Sequence, residues 1–327
     1  MPELPEVTTT ATVLHERIRG FTIRGVWSSY NSVFHKGKNN IKNIVYFETF
    51  KKAIIGKKIL RVRRRAKNVL IDLSGGISIL VHMKMTGHLL YGMYRRNSKF
   101  ETLNPKQTQN SKRKIQNEWE KEEWMPDEKK TSPLLDKFNR FIRLVINFSN
   151  GKSLVLSDMR KFAKVVYYKT SEENKIPDLD GLGPEPLEKS FKVANFKHQV
   201  RKKPNLPVKQ VLMMPEIIAG IGNIYSDEML WLSGIHPLCQ SAKIPENALK
   251  KLFSCMRQVL KKGIKLSGDS MSDYRTPSGE KGGFQTEHRA YRRTGEKCPK
   301  KGCGGKIQRM KIGGRSAHFC DKHQLRY

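Results

Sequence analysis

The chain has 327 residues, with 63 Lys+Arg against 30 Asp+Glu, a formal charge of +33. Hydrophobic residues at 37% and aromatics at 9% suffice for buried cores, at a length of roughly two domains, which excludes wholesale disorder. No run reaches the ~18–20 apolar residues that span a bilayer, the opening Met1-Pro2-Glu3-Leu4-Pro5-Glu6 lacks the basic and apolar regions of a signal peptide, and five cysteines do not make a disulfide scaffold.

Pro5 and Glu6 open a predicted helix. Val7, Ala11, Leu14 and Ile18 fall on one face of it, and Gly20 ends it. Strand patterns follow at Ile59–Val62, Val69–Leu73 and Ile77–Met83, with a turn at Ser74-Gly75-Gly76. Ile142–Phe148 and Ser153–Ser157 flank a turn at Asn150-Gly151, and Val165–Tyr168 is a further short strand. Close strands joined by tight turns pair antiparallel, so this half reads as a β-sandwich. Between the two groups, residues 94–136 are polar and of mixed charge, with Lys112-Arg113-Lys114, and read as a surface insertion. Trp119 and Trp124 imply that part of it docks.

The Gly/Pro-rich stretch around Pro177–Leu187 reads as a connector. Beyond it the period turns helical. Pro245 suits a first turn, and Leu249, Leu252, Phe253, Met256, Val259, Leu260 and Ile264 form one face. Residues 267–283, rich in Gly, Ser and charge, are expected to be a mobile loop. The expected organisation is therefore 1–175, a linker at 176–190, a helical unit at 191–290 and a small Cys/His module at 291–327.

That module pairs Cys298 with Cys303 and Cys320 with His323, at the two feet of a predicted hairpin with its tip at Gly313-Gly314. Three thiolates and an imidazole fill a tetrahedral Zn²⁺ site and leave no position for water, so one structural zinc is expected. Cys239 and Cys255 read as core residues. Zinc thiolates persist in a reducing compartment, so the expected location is cytoplasmic.

The net charge calls for a polyanion, and nucleic acid leads because Lys/Arg contacts to phosphate release counterions. Pro2 adds chemistry. Removal of Met1 would free a secondary amine with a pKa of about 7.7–8.0, which can attack an electrophilic carbon. Glu3 and Glu6 are placed to move protons, although two glutamates in a first helical turn also simply favour the helix dipole.

Taken together, the motifs resemble the formamidopyrimidine-DNA glycosylase family. They are Pro2-Glu3-Leu4-Pro5-Glu6-Val7, Arg65-Ala66-Lys67, His82-Met83-Lys84-Met85-Thr86-Gly87, Asp158-Met159-Arg160-Lys161-Phe162, Leu182-Gly183-Pro184-Glu185-Pro186-Leu187, Gly220-Ile221-Gly222-Asn223-Ile224-Tyr225, Gly234-Ile235-His236-Pro237 and a zinc hairpin carrying Gly313-Gly314-Arg315. The resemblance implies an α+β protein: an antiparallel β-sandwich with an N-terminal helix, then a helical helix–two-turn–helix domain ending in a zinc β-hairpin. It implies a monomeric, nucleoid-associated base-excision enzyme for oxidised purines in duplex DNA, with glycosylase and AP-lyase activity. Pro2 would be the nucleophile, and Glu3 and Glu6 would handle protons. Lys67, Asn223 and Arg315 would hold the DNA backbone. Met85, Arg160 and Phe162 would fill the gap left by a flipped base. Phe284 falls in the segment that resembles a loop over that base.

The chain departs from the family pattern in its C-x4-C pair, in His323, in the insertion, and in the segment Gln210-Val211-Leu212-Met213-Met214-Pro215, which differs from the usual Leu-Asp-Gln stretch. Competing readings are a glycosylase of the Nei branch for oxidised pyrimidines, a non-catalytic DNA- or RNA-binding protein, and a basic ribosome-associated protein. An intact Pro2, Glu3 and Lys67 argue against the second, and the Met85, Arg160 and Phe162 triad would be purposeless in the third.

Overall fold

The computed structural model describes residues 1–30, 32–97 and 123–327. Helix α1 (Leu4–Ile18) begins at Glu3 and runs as the sequence pattern requires, with Gly20 in the left-handed region just past its end. Strand β1 (Ile23–Ser28) and helix α2 (Ile44–Ile54) follow, neither of which the sequence reading anticipated. The signal for α2 was present. Asn43 accepts a bond from Val45 N–H at its start, and Phe47, Phe50 and Ile54 share one buried face.

Strands β2 (Ile59–Arg65), β3 (Asn68–Leu73), β4 (Ile77–His82), β5 (His88–Gly92), β6 (Tyr94–Arg96), β7 (Trp124–Pro126), β8 (Ile142–Phe148), β9 (Ser153–Ser157) and β10 (Lys164–Lys169) complete the N-terminal half. Eight of the ten strands form two four-stranded sheets, ordered β1-β8-β9-β5 and β10-β4-β3-β2, with every neighbouring pair antiparallel, and β6 and β7 pair separately. The core between them takes Ile71, Ile79, Val81 and Val165 from one sheet and Leu89, Leu144, Ile146 and Leu156 from the other. Val7, Ala11, Leu14 and Ile18 of α1 join it.

Several strands are buried on both faces, which demands a cover on each outer side. The connector supplies one cover: Leu179, with Ile176 and Leu182, lies on Leu70, Leu80, Val166 and Tyr168. The described part of the 94–136 segment supplies the other. Tyr94–Arg96 pairs antiparallel with Trp124–Pro126, and Trp124 and Leu134 pack on Leu90, Ile142, Val145 and Val155. The ring of Trp124 lies 5.9 Å from that of Trp27. This stretch is thus not purely a surface insertion, because its apolar ends close a sheet face. Trp119 and Lys112-Arg113-Lys114 lie outside the described residues.

The C-terminal half contains α3 (Val193–Arg201), α4 (Val208–Met213), α5 (Asn223–Ser233) and α6 (Glu246–Lys265), then the hairpin β11 (Gln308–Ile312) and β12 (Arg315–Phe319). Leu249, Leu252, Met256, Val259 and Leu260 of α6 form the expected apolar face. Leu4 of α1 also joins this second core, so one helix anchors both halves. The stretch 267–283 departs from expectation. It lacks regular structure but is packed: Asp269, Ser270, Tyr274, Arg275 and Thr276 are all buried. Its side chains find partners in both halves, and that removes the freedom its composition implies.

Trp124 is 9% exposed and carries much of the cover on its sheet face. Trp124→Ala should destabilise the fold by about 3 kcal/mol, seen as a lower midpoint in urea unfolding. An unchanged midpoint would show that the segment merely lies on the surface.

Candidate functional site

The first residues of the chain are set by bonds from the C-terminal half. Leu4 N–H donates to Gly220 O (3.0 Å). The Glu3 carboxylate accepts from Ile224 N–H at 2.9 Å and Tyr225 N–H at 3.3 Å, at the start of α5. A carboxylate there satisfies otherwise open helix donors and meets the positive end of the helix dipole. Gly222 makes the approach possible, since a Cβ at that position would lie 2.3 Å from Glu3 Cδ. The helix N–H groups that follow Asn223 are thus taken by Glu3 and are not free to meet a phosphate, while Asn223 itself is among the residues lining the cavity.

Glu6 is sealed into the joint. It accepts from Tyr225 O–H (2.6 Å), Asp269 N–H (2.7 Å) and Glu3 N–H (2.7 Å). Burial, reinforced by the Glu3 charge, raises its pKa to about 7 against the opposing pull of those bonds.

Glu3, but not Glu6, borders a cavity of about 730 Å³ between the halves. Its wall includes Met1, Glu3, Lys67, Met85, Arg160, Asn223 and Arg315, which are far apart in sequence. Pro2, between Met1 and Glu3 in the chain, is buried and is not itself among the lining residues. Lys67 follows Ala66, whose φ of 51° turns the chain sharply between β2 and β3. The turn is pinned by Glu185, which accepts from Ala66 N–H (2.7 Å) and from Arg64 and Arg65. Arg63 pairs with Asp72 and Glu173. The run Arg63–Arg65 is therefore internally neutralised, and Lys67 alone of this cluster lines the cavity. Burial pushes the Lys67 pKa down, Glu3 opposes this, and Arg315 adds to it.

Met85, Arg160 and Phe162 come together on two loops joined by the buried Asp158. That carboxylate accepts from Thr86 O–H, Tyr30 O–H (3.1 Å) and Ala163 N–H (2.7 Å), and Arg160 N–H donates to Thr86 Oγ1 (3.1 Å). Lys84 and Lys161 adopt left-handed backbone angles of 53° and 56°, conformations held by these bonds. Met85 and Phe162 remain 42% and 45% exposed. The Arg160 guanidinium lies 4.4 Å over the Phe162 ring and 3.4 Å from Met85 Sδ. Side chains this apolar, clustered and exposed, are poised for a partner.

Arg315 stands beside the hairpin tip. Gly313 and Gly314, both at positive φ, make the turn, and a Cβ on Gly313 would press on Gln210. The hairpin is tied to α5 by Asp227, which accepts from His318 N–H (3.0 Å) and contacts His318 Nδ1 (2.9 Å), while Lys209 bonds its other oxygen. Neither Lys209 nor Asp227 stood out in the sequence, because a lone Lys and a lone Asp carry no spacing signal.

At the hairpin's feet the donor atoms of Cys298, Cys320 and His323 lie within 4.8 Å of one another, and Cys303 Sγ is 3.6 Å from Cys320 Sγ. Tetrahedral Zn–S bonds of about 2.3 Å place sulfurs roughly 3.8 Å apart, so the set fits zinc. Gly305 leaves the room: a Cβ there would lie 2.6 Å from Cys320 Sγ. With four protein donors the ion is structural.

Phe284 corrects another expectation. It is 2% exposed, its ring lies tilted with its centroid 4.8 Å from that of Tyr225 inside the helical core, and it does not line the cavity. The residues of that segment that do are Asp269, Met271, Ser272 and Asp273. Sequence reasoning also missed Gln210, Glu216, Tyr291 and Arg292, which the folding of α4 and the pre-hairpin loop brings to the wall. Six methionines line it: Met1, Met85, Met159, Met213, Met214 and Met271. Thioethers give such a wall a soft, adaptable surface.

Fold and site together define a two-part protein with a structural zinc hairpin, whose cleft gathers cationic side chains around a buried carboxylate pair. Comparison with known proteins gives the family. The formamidopyrimidine-DNA glycosylase N-terminal domain matches residues 1–165, its H2TH domain residues 182–275, and the zinc finger found in FPG and IleRS residues 295–322. The formamidopyrimidine-DNA glycosylase of Desulfitobacterium hafniense is 32% identical over 325 residues, covering 98% of each chain. That of Pelotomaculum thermopropionicum is 30% identical over 320 residues, with the same coverage. The solved complex of Lactococcus lactis Fpg with DNA containing an abasic site superposes with a TM-score of 0.76 at 28% identity, covering 99% of this chain and 100% of that one. The chain belongs to the formamidopyrimidine-DNA glycosylase family.

Two outcomes follow from the geometry. Glu6 keeps its proton to about pH 7 when folded, but an unfolded glutamate loses it near 4.5, so stability falls as pH rises between those values. Glu6→Gln should flatten the melting temperature against pH across that window, and a slope equal to the parent's would reject the buried-acid assignment. Metal analysis should find one zinc per chain, retained in His323→Cys and lost in Cys320→Ala.

Proposed function

We propose that this protein excises oxidised purines, such as 8-oxoguanine and formamidopyrimidines, from duplex DNA and then cleaves the resulting abasic strand. One observation carries the reading: Glu3, Lys67, Arg160, Asn223 and Arg315 converge with the chain's first residues on a single cavity. A merely binding protein has no need of an N-terminal amine beside a buried carboxylate pair.

In this mechanism Met1 is removed and the Pro2 nitrogen becomes a secondary amine at the cavity wall. With a pKa of about 7.7–8.0, a useful fraction is neutral. Its lone pair attacks C1′ of the damaged nucleoside as the C1′–N bond breaks, and the base leaves with that electron pair and takes up a proton. Opening of the sugar gives an iminium between Pro2 and C1′. Loss of a C2′ proton expels the 3′ phosphate, and a second elimination expels the 5′ phosphate. Glu3, next to the amine, serves these proton transfers, and Glu6 behind it is poised near neutrality to support the local charge.

Lys67, Asn223 and Arg315 hold phosphates around the sugar. Met85 and Phe162 replace the stacking of the extruded base, and Arg160 bonds the orphaned partner base. Residues 1–175 thus carry the chemistry, and 191–290 with the 291–327 zinc hairpin carry the grip. The protein acts as a monomer on nucleoid DNA. Among the described residues, no helix is long and apolar enough to cross a membrane.

Borohydride should trap a covalent adduct between Met1-free protein and duplex DNA holding 8-oxoguanine or an abasic site. No adduct from folded protein sinks the lyase reading. Pro2→Gly should abolish the adduct while binding survives. Arg315→Ala should weaken binding and lower the salt slope of affinity by about one; an unchanged slope would remove Arg315 from the phosphate contacts.

A further inference from the structure

One wall of the cavity is held by a buried guanidinium for which the proposed chemistry has no use. Met271, Ser272 and Asp273 form that wall, and they lie in the irregular stretch 267–283. Arg275, two residues beyond, is only 1% exposed. Its Nη2 donates to both oxygens of Asp136 at 3.1 Å, and its Nη1 donates to Ser272 O (3.1 Å) and Tyr274 O (2.9 Å). The group also stacks 4.7 Å over Phe138. One side chain therefore ties the backbone of a cavity-lining residue to a carboxylate on the opposite half.

Asp136 belongs to the segment that follows the Trp124 hairpin, and this segment grips the same stretch elsewhere. Asn139 Nδ2 donates to Gly279 O (3.4 Å), and Gly279 sits so close that a Cβ would lie 2.6 Å from the Pro133–Leu134 backbone. Tyr91 N–H donates to Pro277 O (2.8 Å) on the adjoining sheet edge. A glycine- and serine-rich stretch without such ties would sample many conformations, and holding it in one is entropically costly. Burying a guanidinium is costly unless it is paired, and Nη1 and Nη2 of Arg275 find their partners in the loop carbonyls and the carboxylate, while its Nε has none, so the carboxylate and the loop carbonyls fix each other.

We propose that Arg275 is a positioning residue, anchored on Asp136, that sets the Met271–Asp273 wall and so shapes the space that receives a displaced base. This rests on the glycosylase reading above. A wall that holds a base matters to base excision and has no role in cleaving a sugar that has lost its base. The two half-reactions therefore separate the positioning role from a general loss of structure.

The test compares single-turnover rates for 8-oxoguanine duplex and for preformed abasic duplex, using the full-length Met1-free protein. The ratio of the two rates does not depend on the fraction folded. In Arg275→Ala it should fall about tenfold, the scale of a lost charged hydrogen bond, and in Asp136→Asn by less. Borohydride trapping on abasic DNA should persist in both variants. An unchanged ratio in Arg275→Ala, including equal losses on both substrates, overturns the proposal. If the unsubstituted protein forms no adduct on either duplex, the glycosylase reading itself falls, and the positioning role with it.

Discussion

The structure depends on how a few residues at the start of α1 are seated. Glu3 closes the N-terminus of α5, and Glu6 receives a phenol and two backbone N–H groups within a buried joint. Burial disfavours the Glu6 carboxylate and the nearby Glu3 charge adds to this, so its pKa is raised to about 7. The arrangement stands because glycines at 222 and 268 let the backbones approach and because the donors aim at the oxygens. Burying two carboxylates so close together is costly, and the fold bears that cost where they meet the chain's first residues.

The rest of the site repeats that pattern on a smaller scale. The two sheets are regular, and the functional side chains stand where regularity ends. Ala66, Lys84 and Lys161 take left-handed angles just beside Lys67, Met85 and Arg160. Each bend has a carboxylate bonded beneath it: the half-buried Glu185 under the first, the buried Asp158 under the other two loops. A rigid sandwich supplies the platform, and buried acids set the turns upon it.

Charge reads differently in three dimensions. An excess of +33 spread over the chain pointed to a polyanion but not to a place. Arg63, Arg64, Arg65 and Arg275 prove to be structural, each paired with a carboxylate. The cations that reach the cavity are Lys67, Arg160, Arg292 and Arg315. Much of the remaining excess serves sequence-independent attraction to phosphate.

The sequence by itself determined α1, most strands of the sandwich, the apolar face of α6, the zinc ligands and the motifs that name the family. Those signals are local: a period, a turn dipeptide, a ligand spacing. It was silent or misleading where long-range contacts decide. Strand β5 is buried throughout and shows no alternation, and the loop at 267–283 has a mobile composition but lies clamped under Asp136 and Glu6. Phe284 looked like a loop residue and is core, while Lys209 and Asp227 looked ordinary and tie the hairpin to α5. Tertiary structure alone decided which acid meets which helix end and which cation faces the cavity. Such pairings join residues hundreds of positions apart, and no local pattern in the chain records which partner each will meet.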